Sequence, residues 1–233
     1  MNFIRRLLPV LAVSAAAIAD AQTPLAPGPL NGRVQGHTYV APEGLFRVPL
    51  PVLAELGGRI TDTANSVTFI DDFNYVFTIA WVEISPERKR ELETGSMREF
   101  LTTFFANQVM PDFQAAFRGA QAESARYAPG IYDGALLVYT LLPGGSMFSH
   151  KLTFVSPNET IPDAKRGNLV VVREGYIFIL STEIVERVLE RRTYSLTKEE
   201  ENDILRRRLV EMLGKMEFAP KPDHGDTPPP PTP

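Results

Sequence analysis

The chain has 233 residues, of which 24 are lysine or arginine, 28 are aspartate or glutamate and none is cysteine. The net charge of -4 argues against a nucleic-acid-binding protein, because such proteins usually carry a basic surface. The absence of cysteine excludes disulfides, iron–sulfur clusters, cysteine-based zinc sites and a thiol nucleophile, while 44% hydrophobic residues suffice for a core without cross-links.

The first 21 residues have the layout of a secretory signal peptide. Arg5 and Arg6 precede a short apolar run, which ends in the A-x-A sequence Ala19-Asp20-Ala21. The run is shorter than the about 20 apolar residues that span a bilayer. We therefore expect Sec-type export with cleavage after Ala21, a periplasmic or secreted location, and no integral membrane segment in the mature chain.

Composition divides the mature chain into three parts. Residues 22–36 are rich in proline and glycine and predict a flexible leader. Residues 219–233 form a proline-rich tail that predicts disorder. Residues 37–218 contain neither an internal repeat nor a linker, so we expect them to form a single α+β domain.

Strand signals dominate the first third of this domain. Residues 45–49 predict a short strand near a sheet edge, because a proline stops it. Residues 66–70 and 75–84 are two apolar runs, and the sequence DDFN at 71–74 between them is typical of a hairpin loop. We expect its aspartates to bond nearby backbone amides rather than to act as a catalytic pair of carboxylates.

Helices are predicted next along the chain. Ser85, followed by proline, begins one helix, and the capping box Ser96 to Glu99 begins a second. Pro111 should kink or restart this second helix because proline lacks a backbone donor. An apolar stripe runs along it, formed by Phe100, Phe104, Phe105, Phe113 and Phe117. We interpret the stripe as core, with a cavity for a lipid or another hydrophobic ligand as the alternative.

Two further hairpins are predicted in the second half. The first covers residues 131–155 and turns at the sequence PGGS at 143–146. The second covers residues 168–180 and turns at residues 173–175, which suit a type I turn with glycine in the bulge position. A helix over residues 184–192 and a last helix that begins at the capping box TKEE complete an α+β pattern on an antiparallel sheet.

The two ends of the domain point to a family. It opens with GLFRVPLP at 44–51 and closes with a helix running into Met216-Glu217-Phe218. Together with the hairpins, this resembles the PsbP/Mog1-like superfamily over about residues 39–218. The resemblance implies an αβα sandwich around an antiparallel sheet. It also implies a small binding or accessory module, because the superfamily has no shared catalytic motif.

One histidine is a candidate for a binding site. If residues 143–146 form the loop, strand pairing places His150 opposite Tyr139 on an apolar face of the sheet. One interpretation is a buried histidine that bonds the tyrosine hydroxyl. The other is a pocket in which His150 acts as a base or a ligand. We therefore select Tyr139 and His150 as candidate binding residues.

Other chemistry finds little support in the sequence. No G-x-S-x-G elbow, phosphate-binding loop or dinucleotide fingerprint is present. The tail sequence DHGD at 223–226 is only a weak candidate for a metal site. We therefore expect no catalytic residue, no cofactor and no metal.

These observations favour an exported, soluble, non-enzymatic accessory or binding module for a protein partner or a small ligand. A secreted hydrolase or lyase that uses His150 is the first alternative. A carrier of a hydrophobic ligand is the second. A solvent-open cleft at Tyr139 and His150 that also holds a carboxylate would favour the enzyme.

Overall fold

A computed structural model describes residues 29–152 and 162–220. The predicted signal peptide, the start of the leader and residues 221–233 of the tail lie outside the described residues. The strands are β1 (Arg33–Gln35), β2 (Thr38–Val40), β3 (Phe46–Pro49), β4 (Arg59–Asp62), β5 (Ser66–Ile70), β6 (Val76–Glu83), β7 (Gln121–Ala128), β8 (Ala135–Leu142), β9 (Ala164–Arg173), β10 (Tyr176–Glu183) and β11 (Glu217–Phe218). The α-helices are α1 (Pro86–Thr94), α2 (Met97–Phe104), α3 (Met110–Ala116), α4 (Glu186–Leu189) and α5 (Lys198–Gly214).

The strands form two antiparallel sheets. The larger has seven strands in the spatial order β4-β5-β6-β10-β9-β8-β7, and the smaller has four in the order β1-β2-β3-β11. In the centre of the larger sheet β10 lies between β6 and β9, with Phe178 opposite both Trp81 and Val171. The edge strand β7 carries a bulge between Ala122 and Ser124.

The core occupies both faces of the seven-stranded sheet. On one face the buried side chains of α2 and α3 pack against residues such as Leu136 and Ile179. On the other face α5 and the four-stranded sheet contribute Met212 and Phe46 to the core. A sheet that is covered on both sides requires central strands that are apolar on both faces. The predicted α+β fold class is therefore confirmed.

Side-chain caps begin the helices where the sequence predicts them. The Ser85 hydroxyl accepts the backbone N–H of Arg88, and Thr197 forms a full capping box with Glu200. One π-helical turn joins α2 to α3. α3 begins at Met110, and Pro111 stands in its first turn, where its missing N–H interrupts no hydrogen bond within α3. No described helix is long and apolar enough to cross a membrane.

The end of the predicted leader is a strand. Residues 33–35 form β1, which pairs with β2. The Asp62 carboxylate holds the chain just before it, because it accepts the backbone N–H groups of Asn31 at 2.9 Å and Gly32 at 2.7 Å. The prediction of a flexible leader up to residue 36 is therefore corrected for these residues.

Two details of the strands also differ from the predictions. Strand β3 is interior to the small sheet, and its proline stands at the last residue, where it interrupts little of the ladder. The β9–β10 turn has two residues, Glu174 and Gly175, with φ of 47° and 77°. Two positive φ values are typical of a type I′ turn, so the predicted type I turn with a bulge is wrong.

Candidate functional site

Tyr139 and His150 do not form the predicted cross-strand pair. Tyr139 lies on β8 opposite Ser124 of β7 and Gly167 of β9. Its buried side chain packs with Leu205 on the α5 face of the sheet. Both edges of β8 are thus occupied by strands other than the one that the sequence predicts.

His150 lies in a short 3₁₀ turn, Ser149–Lys151, that follows β8. Its side chain is exposed, and its ring stacks on that of Phe148 with 6.4 Å between the centroids. The hairpin over residues 131–155 does not form up to residue 152, and residues 153–155 lie outside the described residues. The pairing on which the candidate pocket depended is therefore absent.

The phenylalanine stripe belongs to the core. The buried members lie between the sheet and the helical stretch from α2 to α3, and they are Phe100, Phe104, Phe105, Phe113 and Phe117. Their packing follows the helical spacing that the sequence shows. The interpretation of the stripe as core therefore accounts for these side chains.

One end of the seven-stranded sheet gathers several loops. The antiparallel register places the end of β5, the start of β6, the end of β10 and the start of β9 at this same end. The loops there include residues 50–58, 71–75 and 143–152. Loops on a rigid sheet are frequent locations of binding residues.

Three large apolar side chains are exposed on two of these loops, and we call them the loop-end surface. Leu53 and Phe73 are each 58% exposed and Leu56 is 40% exposed. The two loops touch, because the backbone N–H of Asp72 donates to the carbonyl of Leu56 at 3.0 Å. Neighbouring exposed apolar residues of this kind are typical of an interaction surface.

Hydrogen bonds fix the loop that carries Phe73. Oδ1 of Asp71 accepts the backbone N–H groups of Phe73 at 2.8 Å, Asn74 at 3.0 Å and Tyr75 at 2.9 Å. This bonding confirms the turn role predicted for the aspartate. Because the loop backbone is already ordered, Phe73 would lose little conformational freedom when a partner covers it.

A buried ion pair lies behind these loops. Nε of Arg166 is 3.8 Å from Oε2 of Glu183, and both side chains are more than nine-tenths buried. The Glu183 carboxylate also accepts the Ser146 hydroxyl at 2.5 Å and the Met147 backbone N–H at 3.2 Å. Burial raises the pKa of the Glu183 carboxyl, and Arg166 offsets this rise only in part.

A second charged cluster fixes α5 to the other face of the sheet. Nζ of the fully buried Lys165 lies 2.7 Å from Glu123 and 2.9 Å from Glu201. Glu201 also accepts Nη1 of Arg187 at 2.6 Å and the Tyr194 hydroxyl at 2.8 Å. Burial acts to raise the pKa of Glu201, but the hydrogen bonds from Lys165, Arg187 and Tyr194 outweigh it and lower that pKa.

Sequence reasoning does not single out the loop-end surface or the two charged clusters. The one available signal is Phe73, an aromatic residue within a loop of otherwise polar turn residues. The members of each charged cluster are far apart in the chain, so only strand register and helix docking bring them together.

The described residues contain no metal site. In residues 29–152 and 162–220 no group of three histidine, aspartate or glutamate side chains is placed to hold a metal ion. The weak metal candidate at residues 223–226 lies outside this part of the chain.

Comparisons with known proteins give structural neighbours of low sequence identity. No protein-family model matches the chain, and no curated protein matches it significantly. The Ran-binding protein Mog1p of Saccharomyces cerevisiae is 9% identical, with 82% of this chain and 97% of that chain covered and a TM-score of 0.45. The cyanobacterial PsbP (CyanoP) of Synechocystis is 13% identical, with 82% of this chain and 100% of that chain covered and a TM-score of 0.46. At these identities and TM-scores the likeness concerns the overall fold alone.

Proposed function

We propose that this protein is an exported, non-enzymatic binding module that recognises another protein through the loop-end surface. The observation that carries the proposal is the exposure of Phe73 on a loop that Asp71 already fixes. Leu53 and Leu56 extend the apolar area on the adjacent loop. Aromatic residues such as phenylalanine are enriched at the buried centre of protein interfaces.

The charged groups of the interior support a binding role over a catalytic one. Lys165 and Glu201 are paired inside the protein, and so are Arg166 and Glu183. The exposed His150 stacks on Phe148, and Tyr139 does not stand opposite it. A hydrolase or lyase built on His150 is therefore the less supported alternative. A hydrophobic-ligand carrier is less supported as well, because the phenylalanine stripe packs in the core.

Export is the second part of the proposal, and it is supported by the signal-peptide layout of residues 1–21. We expect the protein from an envelope or culture fraction to begin at Gln22. Amino-terminal sequencing of that protein is the test. A chain that keeps its first 21 residues and stays in the cytoplasm would contradict export.

Site-specific photo-crosslinking tests the binding surface. A photoreactive phenylalanine analogue is placed at Phe73 in one variant and at Lys89, an exposed residue of α1, in the control. We expect one protein to be crosslinked from position 73 and not from position 89, and Leu53→Ser to weaken that product. Identical products from both positions, or none from position 73, would overturn the proposed surface.

A further inference from the structure

The segment Gly145–Lys151, which we call the clasp, connects the buried ion pair to the loop-end surface. It follows β8 and contains the short 3₁₀ turn at Ser149–Lys151. None of its residues pairs with a strand in the described part of the chain. Its position therefore depends on side-chain contacts rather than on a ladder of backbone hydrogen bonds.

The inner end of the clasp is anchored in the interior. Nη2 of Arg166 donates to the carbonyl of Gly145 at 3.0 Å, and the Glu183 carboxylate accepts the Ser146 hydroxyl and the Met147 N–H. The Ser146 hydroxyl oxygen in turn accepts the backbone N–H of Phe148 at 3.1 Å. Hydrogen bonds to charged groups are stronger than those between neutral groups, so this anchor is the firm end of the segment.

The outer end of the clasp touches the loop that presents Phe73. The Phe148 side chain is fully buried in a small cluster with Val76 and Val185. Beyond it, Nζ of Lys151 donates a hydrogen bond to the backbone carbonyl of Asp72. Asp72 precedes Phe73, so an unbroken series of contacts joins the buried anchor to an exposed residue of the loop-end surface.

We propose that the clasp positions the loop-end surface, with Glu183 and Ser146 as positioning residues that act on Phe73 through Phe148 and Lys151. Release of the inner anchor lets the clasp move away from the sheet and leaves the Phe73 loop without its Lys151 contact. The biological meaning of this device rests on the proposed function, since it would regulate that same surface. The coupling between the clasp and the Phe73 loop can be measured in the protein alone, without a partner.

The contacts of Glu183 determine which substitution is suitable for testing the role of the clasp. Arg166 faces its carboxylate from β9, and Nη1 of Arg208 donates to its backbone carbonyl from α5 at 3.1 Å. Replacing Glu183 would leave the buried Arg166 without a counter-ion and would disturb the whole core. Ser146→Ala is the milder change, because it removes the hydroxyl that donates to Glu183 and accepts from Phe148.

Amide hydrogen exchange of the mature chain, followed by NMR, tests the coupling. In Ser146→Ala we expect the Met147 and Phe148 amides to exchange up to about tenfold faster, the change that follows from losing one hydrogen bond. We also expect faster exchange at the Phe73 amide, which has no direct contact with residue 146. Ser181→Ala, on the same face of the sheet but bonded to Asn168, is the matched control and should leave both regions unchanged.

A second variant tests the outer end of the clasp separately from its inner end. Lys151→Met removes the contact with Asp72 at the protein surface, so it should fold even if Ser146→Ala does not. We expect it to speed exchange at Phe73 and to leave the Met147 amide unchanged. Unchanged exchange at Phe73 in Lys151→Met overturns the proposal, and so does a purely local effect of Ser146→Ala.

The outcome is independent of the crosslinking experiment. If substitutions in the clasp change amide exchange at Phe73 but no protein is crosslinked from position 73, the role of the clasp is supported and the proposed partner surface is contradicted. If a partner is crosslinked from position 73 but amide exchange at Phe73 is unaffected by changes in the clasp, the proposed partner surface is supported and the proposed role of the clasp is contradicted.

Discussion

Lys165→Met removes the cation that joins β7, β9 and α5. In the native protein Nζ lies 2.7 Å from Glu123 and 2.9 Å from Glu201, with the lysine fully buried. Breaking a buried ion pair by removing one partner typically costs about 3–5 kcal/mol. Here Glu201 keeps its bonds to Arg187 and Tyr194, so the loss of unfolding free energy should be smaller, about 2–3 kcal/mol.

The assay for this loss is urea unfolding followed by the fluorescence of Trp81. It is the single tryptophan of the chain and is buried, with its ring 5.2 Å from that of Phe46. Lys198→Met is the matched control, because its ammonium lies 3.9 Å from Glu123 on a half-exposed side chain, and we expect a change below about 0.5 kcal/mol. A Lys165→Met protein as stable as this control would refute the structural role of the cluster.

Three further predictions concern the packing of α5 on the sheet, the dependence of stability on pH, and the loop-end surface. Gly167→Ala should lower the unfolding free energy by about 1–3 kcal/mol in urea titrations, because the added Cβ would lie 2.9 Å from Leu205 of α5. Gly130→Ala has open space around the added Cβ and should be nearly neutral, so equal effects of the two substitutions would show that α5 does not pack closely there. Because the pKa of Glu201 is lowered in the folded state, the stability that it provides is full above its ordinary value and is lost as pH falls through the lowered one. Thermal midpoints between about pH 6 and pH 3 should therefore decline more steeply in the native protein than in Glu201→Gln, and parallel curves would contradict this sign. Phe73→Ala should change stability by less than about 0.5 kcal/mol in the same urea titration, because the side chain is exposed, and a larger loss would mean that it belongs to the fold.

Local signals in the sequence predict much of the fold correctly. The helix starts at Ser85, Ser96 and Thr197 are visible because each cap is decided by residues three positions apart. The hairpin loop that begins at Asp71 is visible for the same reason, since the aspartate bonds the next few amides. Capping and turn formation involve few residues, so they can be inferred without knowledge of the rest of the chain.

The order of the strands in the sheet is not predicted correctly from the sequence. Residues 143–146 have the composition of a hairpin turn, but the strand before them already has two neighbours. One neighbour is β7, whose sequence QAESARYA lacks the apolar alternation of a strand. It lacks that alternation because it is an exposed edge, so the missed strand and the false hairpin have one cause.

The candidate site was beyond sequence reasoning for a related reason. The pairing of His150 with Tyr139 depended entirely on the false hairpin. Glu183 and Arg166 belong to strands that were predicted only in part, and their contact with Ser146 depends on where the clasp docks. Long-range register of this kind is set by the packing of the whole domain, not by a local pattern.

The bulge on β7 has a consequence for how copies of this protein behave beside one another. An exposed edge strand is a template on which a second chain can add its own strand. Here the bulge interrupts the row of backbone donors and acceptors at Glu123, whose carboxylate is tied to the buried Lys165. A second chain therefore cannot pair in continuous register along the whole of β7, so the bulge makes this edge a poor template for aggregation at high local concentration.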